Sequence, residues 1–186
     1  MLATALAAVG PARATVLPWM SLEEMALRAD VIALGTVEAV EGAMSDDGRI
    51  IVTRVTLQVE KTLKGGPRAR VTLEVPGGRI GDRILIASGA PTFAKGDRAV
   101  LFLEGAPGGG RLSVVGWNLG RFEVRRDPQS GRDLVNDRTG GALYLDKDGR
   151  PVDPGRRGVG RVELGDFLRQ VEAILDKTAH GKGVSR

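Results

Sequence analysis

Between Ala29 and Gly66 the chain carries two long runs, Val31–Glu41 and Ile50–Leu63, joined by the polar turn Asp46-Asp47-Gly48 and closed by Lys64-Gly65-Gly66. In the second run Ile51, Val55, Leu57, Val59 and Leu63 fall on one face, and Arg54, Thr56, Gln58, Glu60 and Thr62 on the other. A period of two is that of a strand in a sheet with one wet side; a helix would scatter these residues around its circumference. The first run opens Val31-Ile32-Ala33-Leu34, apolar on both faces, so another layer must cover it. Gly35 inside that run predicts a bend or bulge of the kind small barrels use to turn a corner. The rest of the chain can be placed by asking how it closes a barrel on this ribbon.

Val71, Leu73 and Val75 alternate with Arg70, Thr72 and Glu74, a third strand that stops at Pro76-Gly77-Gly78; a weaker fourth is expected at Arg83–Ala87. The segment Gly89–Asp97 reads as a loop that drops Phe93 into the core. It leads to Ala99–Leu103, apolar throughout and therefore predicted to be a central strand buried on both faces. Pro107-Gly108-Gly109-Gly110 predicts a hairpin tip before strands at Leu112–Trp117 and Arg121–Arg126, the latter with Phe122 and Val124 inward, and a short piece at Leu134–Val135. The 27 glycines set against 4% aromatics fit tight turns between short β-branched runs. Ser21-Leu22-Glu23-Glu24 is a capping box that starts a short helix with Leu22, Met25, Ala26 and Ala29 on its apolar side. Leu164, Phe167, Leu168, Val171, Ile174 and Leu175 recur at helical spacing, predicting an amphipathic helix over 163–178 that docks on the barrel. Residues 139–160 read as loop with one hairpin at Tyr144–Val152, and 179–186 as a flexible tail. The fold class expected is all-β dominated: one domain over 15–178, a barrel of five to seven strands with helices plugging its ends.

Leu2–Val9 is apolar and runs through Gly10-Pro11 into the small-x-small triplet Ala12-Arg13-Ala14. Residues 1–14 therefore read as a secretory signal peptide cut after Ala14, although the usual basic n-region is missing. The expected location is exported, periplasmic or extracellular. No later run approaches the roughly 18 apolar residues of a membrane span. With no cysteine there is neither a disulfide framework nor thiol chemistry, so packing alone must hold the protein together. The formal charge of +4 comes from lysines and arginines scattered singly or in pairs such as Arg125-Arg126 and Arg156-Arg157, which describes solvated faces rather than a nucleic-acid stripe.

The single histidine, His180, falls in the expected tail and offers no packed imidazole for a triad or a general base. Nor is there a histidine and cysteine cluster for zinc. Asp46-Asp47 sits in a turn, where aspartates commonly serve backbone geometry. Asp146-Lys147-Asp148-Gly149 resembles the start of an EF-hand loop, but Arg157 stands at the twelfth place where a bidentate glutamate belongs; an Asp-Gly hairpin turn is the expectation. Gly77-Gly78-x-x-Gly81 is followed by no helix whose N-terminus could hold phosphate. The sequence thus predicts no enzyme, no cofactor and no metal site.

Ala29-Asp30-Val31, then Gly35-x-Val37, a turn, a long alternating strand and Lys61-Thr62-Leu63-Lys64-Gly65 together resemble the opening of the netrin-like fold, the OB-type barrel of tissue inhibitors of metalloproteinases. Pro76–Gly78, Gly89–Asp97 and Phe102–Leu103 are similar to stretches of netrin-like domains of unassigned role in exported bacterial proteins. The resemblance covers Ser21 to Arg126 and implies an OB-type barrel with a C-terminal helix packed on it. In the inhibitors the mature chain begins with a cysteine whose α-amine and carbonyl chelate the protease zinc. Placing Ala29-Asp30-Val31 on their matching signature without a gap puts that first residue at Thr15, the residue the expected cleavage exposes. Both chelating groups are backbone, so threonine could supply them, with Val16 entering the specificity pocket. The resemblance therefore implies Thr15, Val16, Leu17 and Pro18 as a protein-binding segment. The chain departs from the inhibitors in having threonine for cysteine and none of their disulfides.

The function expected is an exported, non-catalytic barrel that binds another protein, a metalloprotease being the partner implied by the resemblance, through the N-terminal segment and the strand-connecting loops. The alternative is an OB-type domain binding oligosaccharide or single-stranded nucleic acid on the barrel face, which needs exposed rings for stacking; Trp19, Trp117 and Tyr144 are its candidates. An enzyme would need an acidic pocket.

Overall fold

Strand pairing closes the expected ribbon into a barrel. The computed structural model describes residues 16–105, 111–137, 143–152 and 161–181; the expected signal peptide, Thr15, the expected hairpin tip at Pro107–Gly110 and residues 182–186 lie outside them. Along the chain the elements are β1 (Val16–Pro18), α1 (Leu22–Arg28), β2 (Val31–Met44), β3 (Ile51–Lys64), β4 (Arg70–Pro76), β5 (Gly78–Ile80), β6 (Arg83–Leu85), β7 (Arg98–Gly105), β8 (Leu112–Val114), β9 (Arg121–Arg126), β10 (Asp133–Asp137), β11 (Leu143–Leu145), β12 (Pro151–Val152), β13 (Val162–Glu163) and α2 (Leu164–Gly181).

The ring runs β7–β2–β3–β4–β8 and back to β7, a closed five-stranded barrel. Closure depends on β7 dividing one edge between two neighbours. Ala99–Leu101 pairs with β9, while Leu103–Gly105 pairs with β8, which meets β4 at Leu73↔Leu112. The strand expected over Leu112–Trp117 therefore stops at Val114. A turn succeeds it in which Phe102 receives the Val115 N–H at its carbonyl and donates its own N–H to Gly120, and Trp117 takes φ 68°. Beyond β9 the sheet continues through β10 to β13.

Val31, Ala33, Val37, Val55, Leu57, Val71, Leu73, Val75, Ala99, Leu101, Leu103 and Val114 fill the interior. On the other side of the same wall, Ile32 and Leu34 of β2 and Val100 and Phe102 of β7 form a second core with Met25 and Ala26 of α1 and Phe167 and Val171 of α2. The expectation of two-sided burial for these strands holds. The expectation that the helices plug the barrel ends does not, because strands apolar on both faces draw the helices onto the wall itself. Phe122 and Val124 likewise point into this outer core, Phe122 lying 5.4 Å from Phe102 and 4.8 Å from Phe167 between ring centroids.

Three register irregularities curl the ribbon. Ile32 pairs with Lys64 and Ala33 with Thr62, which leaves Leu63 as an extra residue; Glu60 and Glu38 are extra in the same way. A bulge reverses the facing of the residues beyond it, so Leu63, expected on the Leu57 face, packs on the helix side instead. Gly35 lies at one of these shifts, where a Cβ would come within 2.3 Å of the Gln58 carbonyl oxygen.

Helix α1 has its capping box: the Ser21 Oγ accepts from the Glu24 N–H at 3.1 Å, and the Glu24 carboxylate accepts from the Ser21 N–H at 2.7 Å. Helix α2 continues past the expected end at 178 to Gly181. His180 is thus in its last turn, with Nδ1 2.8 Å from the Asp176 carbonyl oxygen, rather than in a loose tail; between Asp166 and His180 neither proline nor glycine interrupts the helix. Among the described residues no helix is long and apolar enough to cross a membrane. The expected hairpin forms as β11–β12, which β1 joins in parallel. In its turn the Asp146 carboxylate accepts from the Asp148 and Arg150 N–H groups at 2.9 and 2.8 Å, serving backbone geometry.

Candidate functional site

Of the predicted N-terminal residues, Val16, Leu17 and Pro18 form β1, paired with Leu143, Tyr144 and Leu145. The Trp19 N–H continues the ladder to the Leu145 carbonyl at 2.8 Å. Val16 is 54% exposed, Leu17 packs on the outer core, and Pro18 is exposed. The segment is anchored by a sheet, and Thr15 lies outside the described residues.

The residues that carry the family resemblance meet at one end of β2. The Asp30 carboxylate accepts from the Gly105 N–H at 2.7 Å, and its own N–H donates to the Leu103 carbonyl. Lys64 Nζ donates to the carbonyls of Ala26 and Leu27 at 2.9 and 3.0 Å, closing the C-terminus of α1 where carbonyls are left without helical partners. Lys61 reaches Glu172 of α2 at 2.7 Å. Gly65, at φ 93°, passes so near Asp30 that a Cβ would lie 2.5 Å from its carbonyl oxygen. These residues fasten both helices to the wall, a role their sequence spacing does not reveal.

A polar row crosses the outer surface of β3, β2, β7, β9 and β10. Arg98 donates to Glu60 at 2.7–3.0 Å and to Asp133 at 2.6 Å; Thr36 adds a hydrogen bond to Glu60 at 2.9 Å and Arg126 one to Asp133 at 3.2 Å. Hydrogen bonds from Arg98 hold the carboxyls of both Glu60 and Asp133 below their ordinary range. A general acid or base at neutral pH needs a shift toward neutrality, so this row is built for cohesion. Nearby, Arg121 is bonded to Asp97 at 3.1 Å and lies 5.0 Å over the Phe93 ring. Among the described residues, no three His, Cys, Asp or Glu side chains come together as a metal site.

The remaining feature is apolar. The outer half of the β2–β3 ribbon is overlaid by the β5–β6 hairpin, where the sequence predicts turn glycines at Gly77–Gly81 and a single strand at Arg83–Ala87. Two contacts hold it there: Thr53 Oγ1 donates to the Gly77 carbonyl at 2.7 Å, and the Gly77 N–H donates to the Ile51 carbonyl at 3.0 Å. The crossing is so close that a Cβ on Gly42 would lie 1.8 Å from the Arg79 carbonyl oxygen. Between hairpin and barrel opens a recess of about 290 Å³ lined by Val40, Val75, Leu85, Ile86, Pro91 and Phe93 among others. Phe93 roots in the barrel interior. Ile84, Leu85 and Ile86 are 62, 36 and 84% exposed. Among the described residues no titratable side chain lines this recess; its lining is shaped to receive an apolar group. Three consecutive aliphatics outside any alternation are the sequence signal that marks it.

A polar recess of about 560 Å³ lies over Glu123, Arg125, Arg126, Asp127, Asn136 and Arg161, its guanidiniums already engaged with Glu123, Asp133 and Asp127. Of the aromatic candidates, Tyr144 is buried, Trp19 packs against it edge-on at 6.0 Å, and Trp117 is half-buried. Comparison with protein-family models and with curated proteins gave no match to this chain.

Proposed function

We propose that this chain is an exported, non-catalytic barrel of netrin-like, OB type that binds another protein through the surface around Ile84–Ile86. The observation that carries the reading is a contiguous set of exposed aliphatics beside an apolar recess, mounted on a rigid barrel. Large apolar side chains grouped at a surface mark interaction sites, and loops on a fixed scaffold are where recognition concentrates. Stacking of bases or sugars would need ring faces open to solvent, and Trp19 and Tyr144 pack on each other. The test is cross-linked co-isolation from the exported fraction of the producing cells with wild type and with Ile84→Ser/Ile86→Ser. A partner held by wild type and lost from the equally stable variant supports the reading; identical retention overturns it.

A metalloprotease-inhibitor mode draws support from β1. Presenting a Thr15 amine without disulfides would require ordering a free arm, at roughly 1–2 kcal/mol per residue; pairing of Val16–Pro18 with β11 already supplies that order. Inhibition of zinc proteases by the chain beginning at Thr15, abolished by N-acetylation, is the expected result; no inhibition ends this mode alone.

A further inference from the structure

We infer that the joint between β4 and β8 is a latch: the barrel opens there reversibly while β8 stays on β7, and the ion pair that Arg111 forms with Glu74 across the joint sets how often it opens.

Three observations converge. First, this is the thinnest joint of the ring. β2 and β3 pair from Ile32↔Lys64 to Met44↔Ile51, β2 and β7 from Val31↔Leu103 to Thr36↔Arg98, and β3 and β4 from Val52↔Pro76 to Gln58↔Arg70. β7 and β8 pair from Leu103↔Val114 to Gly105↔Leu112. Among the described residues β4 and β8 meet at Leu73↔Leu112 alone, and in parallel, the geometry that holds slightly less per residue. Sub-global openings start where few backbone bonds tie one unit to the next.

Second, opening there leaves most of the interior in place. β8 spans three residues and brings Val114 and the half-buried Leu112 to the barrel core. The other buried interior side chains belong to β2, β3, β4 and β7, whose pairing with one another does not pass through the joint.

Third, charge spans the joint from outside. Glu74, next to Leu73, stands opposite Arg54 of β3, whose Nε donates to it at 2.7 Å. Arg111, the residue before β8, brings its own Nε to 2.9 Å from the same Glu74 oxygen and to 3.7 Å from Asp46 in the turn between β2 and β3. Glu41 adds a further carboxylate opposite Arg54 on β2. Among the described residues Arg111 has no carboxylate partner beyond Glu74 and Asp46, so its charge acts on this joint. The Glu74 side chain is 16% exposed and that of Arg111 40%: the pair is shielded enough to hold the strands together and open enough for dissolved ions to weaken it.

The test is residue-resolved amide exchange on the full chain, comparing wild type with Arg111→Gln. Arg49→Gln is the control, since it removes an ion pair to Asp47 in the same turn without touching β4 or β8. Amides bonded across Leu73↔Leu112 are expected to exchange through an opening that leaves the β2–β3 amides protected, and to do so about threefold or more faster in Arg111→Gln. The β7–β8 amides should keep their rates, and Arg49→Gln should match wild type. In molar sodium chloride wild type should approach Arg111→Gln, while the variant stays where it was. Joint amides that exchange only together with those of β2–β3 would overturn the latch, as would equal rates in wild type and Arg111→Gln or a wild-type rate indifferent to salt. Equal acceleration of the β7–β8 amides would mean that β8 frays as a whole, and equal acceleration by Arg49→Gln that any lost charge suffices; either result overturns it too.

Discussion

Replacing Arg98 by methionine removes the hub of the polar row while keeping the aliphatic stem. The guanidinium donates to Glu60 and Asp133; its side chain is 30% exposed, and those of Glu60 and Asp133 are 35% and 25%. A hydrogen bond to a charged group is worth about 1.5–3 kcal/mol when buried, and solvent at a third exposure pulls each toward the lower end. Glu60 keeps its bond from Thr36 and Asp133 its bond from Arg126. The expected loss at neutral pH is therefore about 2–3 kcal/mol, a shift of roughly 4–12 °C for a domain of this size. Urea unfolding of both proteins, with unchanged slope, measures it. The pH dependence supplies the sharper check. Because Arg98 lowers the folded-state pKa of both carboxyls, the stabilisation is present above their unfolded values, ordinarily near 4.5 and 3.8, and is lost as pH falls through the folded ones. The gap between wild type and Arg98→Met should thus close between about pH 5 and pH 2. A gap below about 0.5 kcal/mol at neutral pH, the usual range for a featureless surface change, or one that persists undiminished in acid, would refute the electrostatic account.

Gly35→Ala should cost at least about 2 kcal/mol by overpacking, since its Cβ would fall within 2.3 Å of the Gln58 carbonyl oxygen; circular dichroism melting reads it. Ser21→Ala removes one half of the capping box and should cost about 1 kcal/mol, with faster amide exchange confined to α1. Gly42→Ala should lift the β5–β6 hairpin off the ribbon, because its Cβ cannot coexist with the Arg79 carbonyl at 1.8 Å. Exchange protection at Gly78–Leu85 should fall while the barrel amides keep theirs, and equal protection in both proteins would contradict the packing described.

Much of the barrel was legible because periodicity is a local signal. Val55 and Leu57 announced an interior face, Val31–Leu34 and Ala99–Leu103 announced two, and Ser21 with Glu24 announced a helix start. Leu63 was misplaced because bulges at Glu60 and Leu63 alter facing without altering composition. The position of the helices depended on which of two apolar faces they would choose. That choice is made where Phe122 of β9 meets Phe167 of α2, a contact between distant segments that neither run announces alone. The recess was least legible, because it opens where the β5–β6 hairpin crosses the ribbon at Gly42, again a meeting of segments far apart in the chain.

The wall formed by β2 and β7 belongs to two compartments at once. Val100 and Phe102 face the helices while Ala99 and Leu101, their immediate neighbours, face the barrel axis. Water admitted to either compartment wets the same backbone, so the barrel cannot outlive the helical layer as a separate fold. Melting should accordingly be one cooperative event, and a chain cut short before Leu164 should lose its interior together with its outer coat.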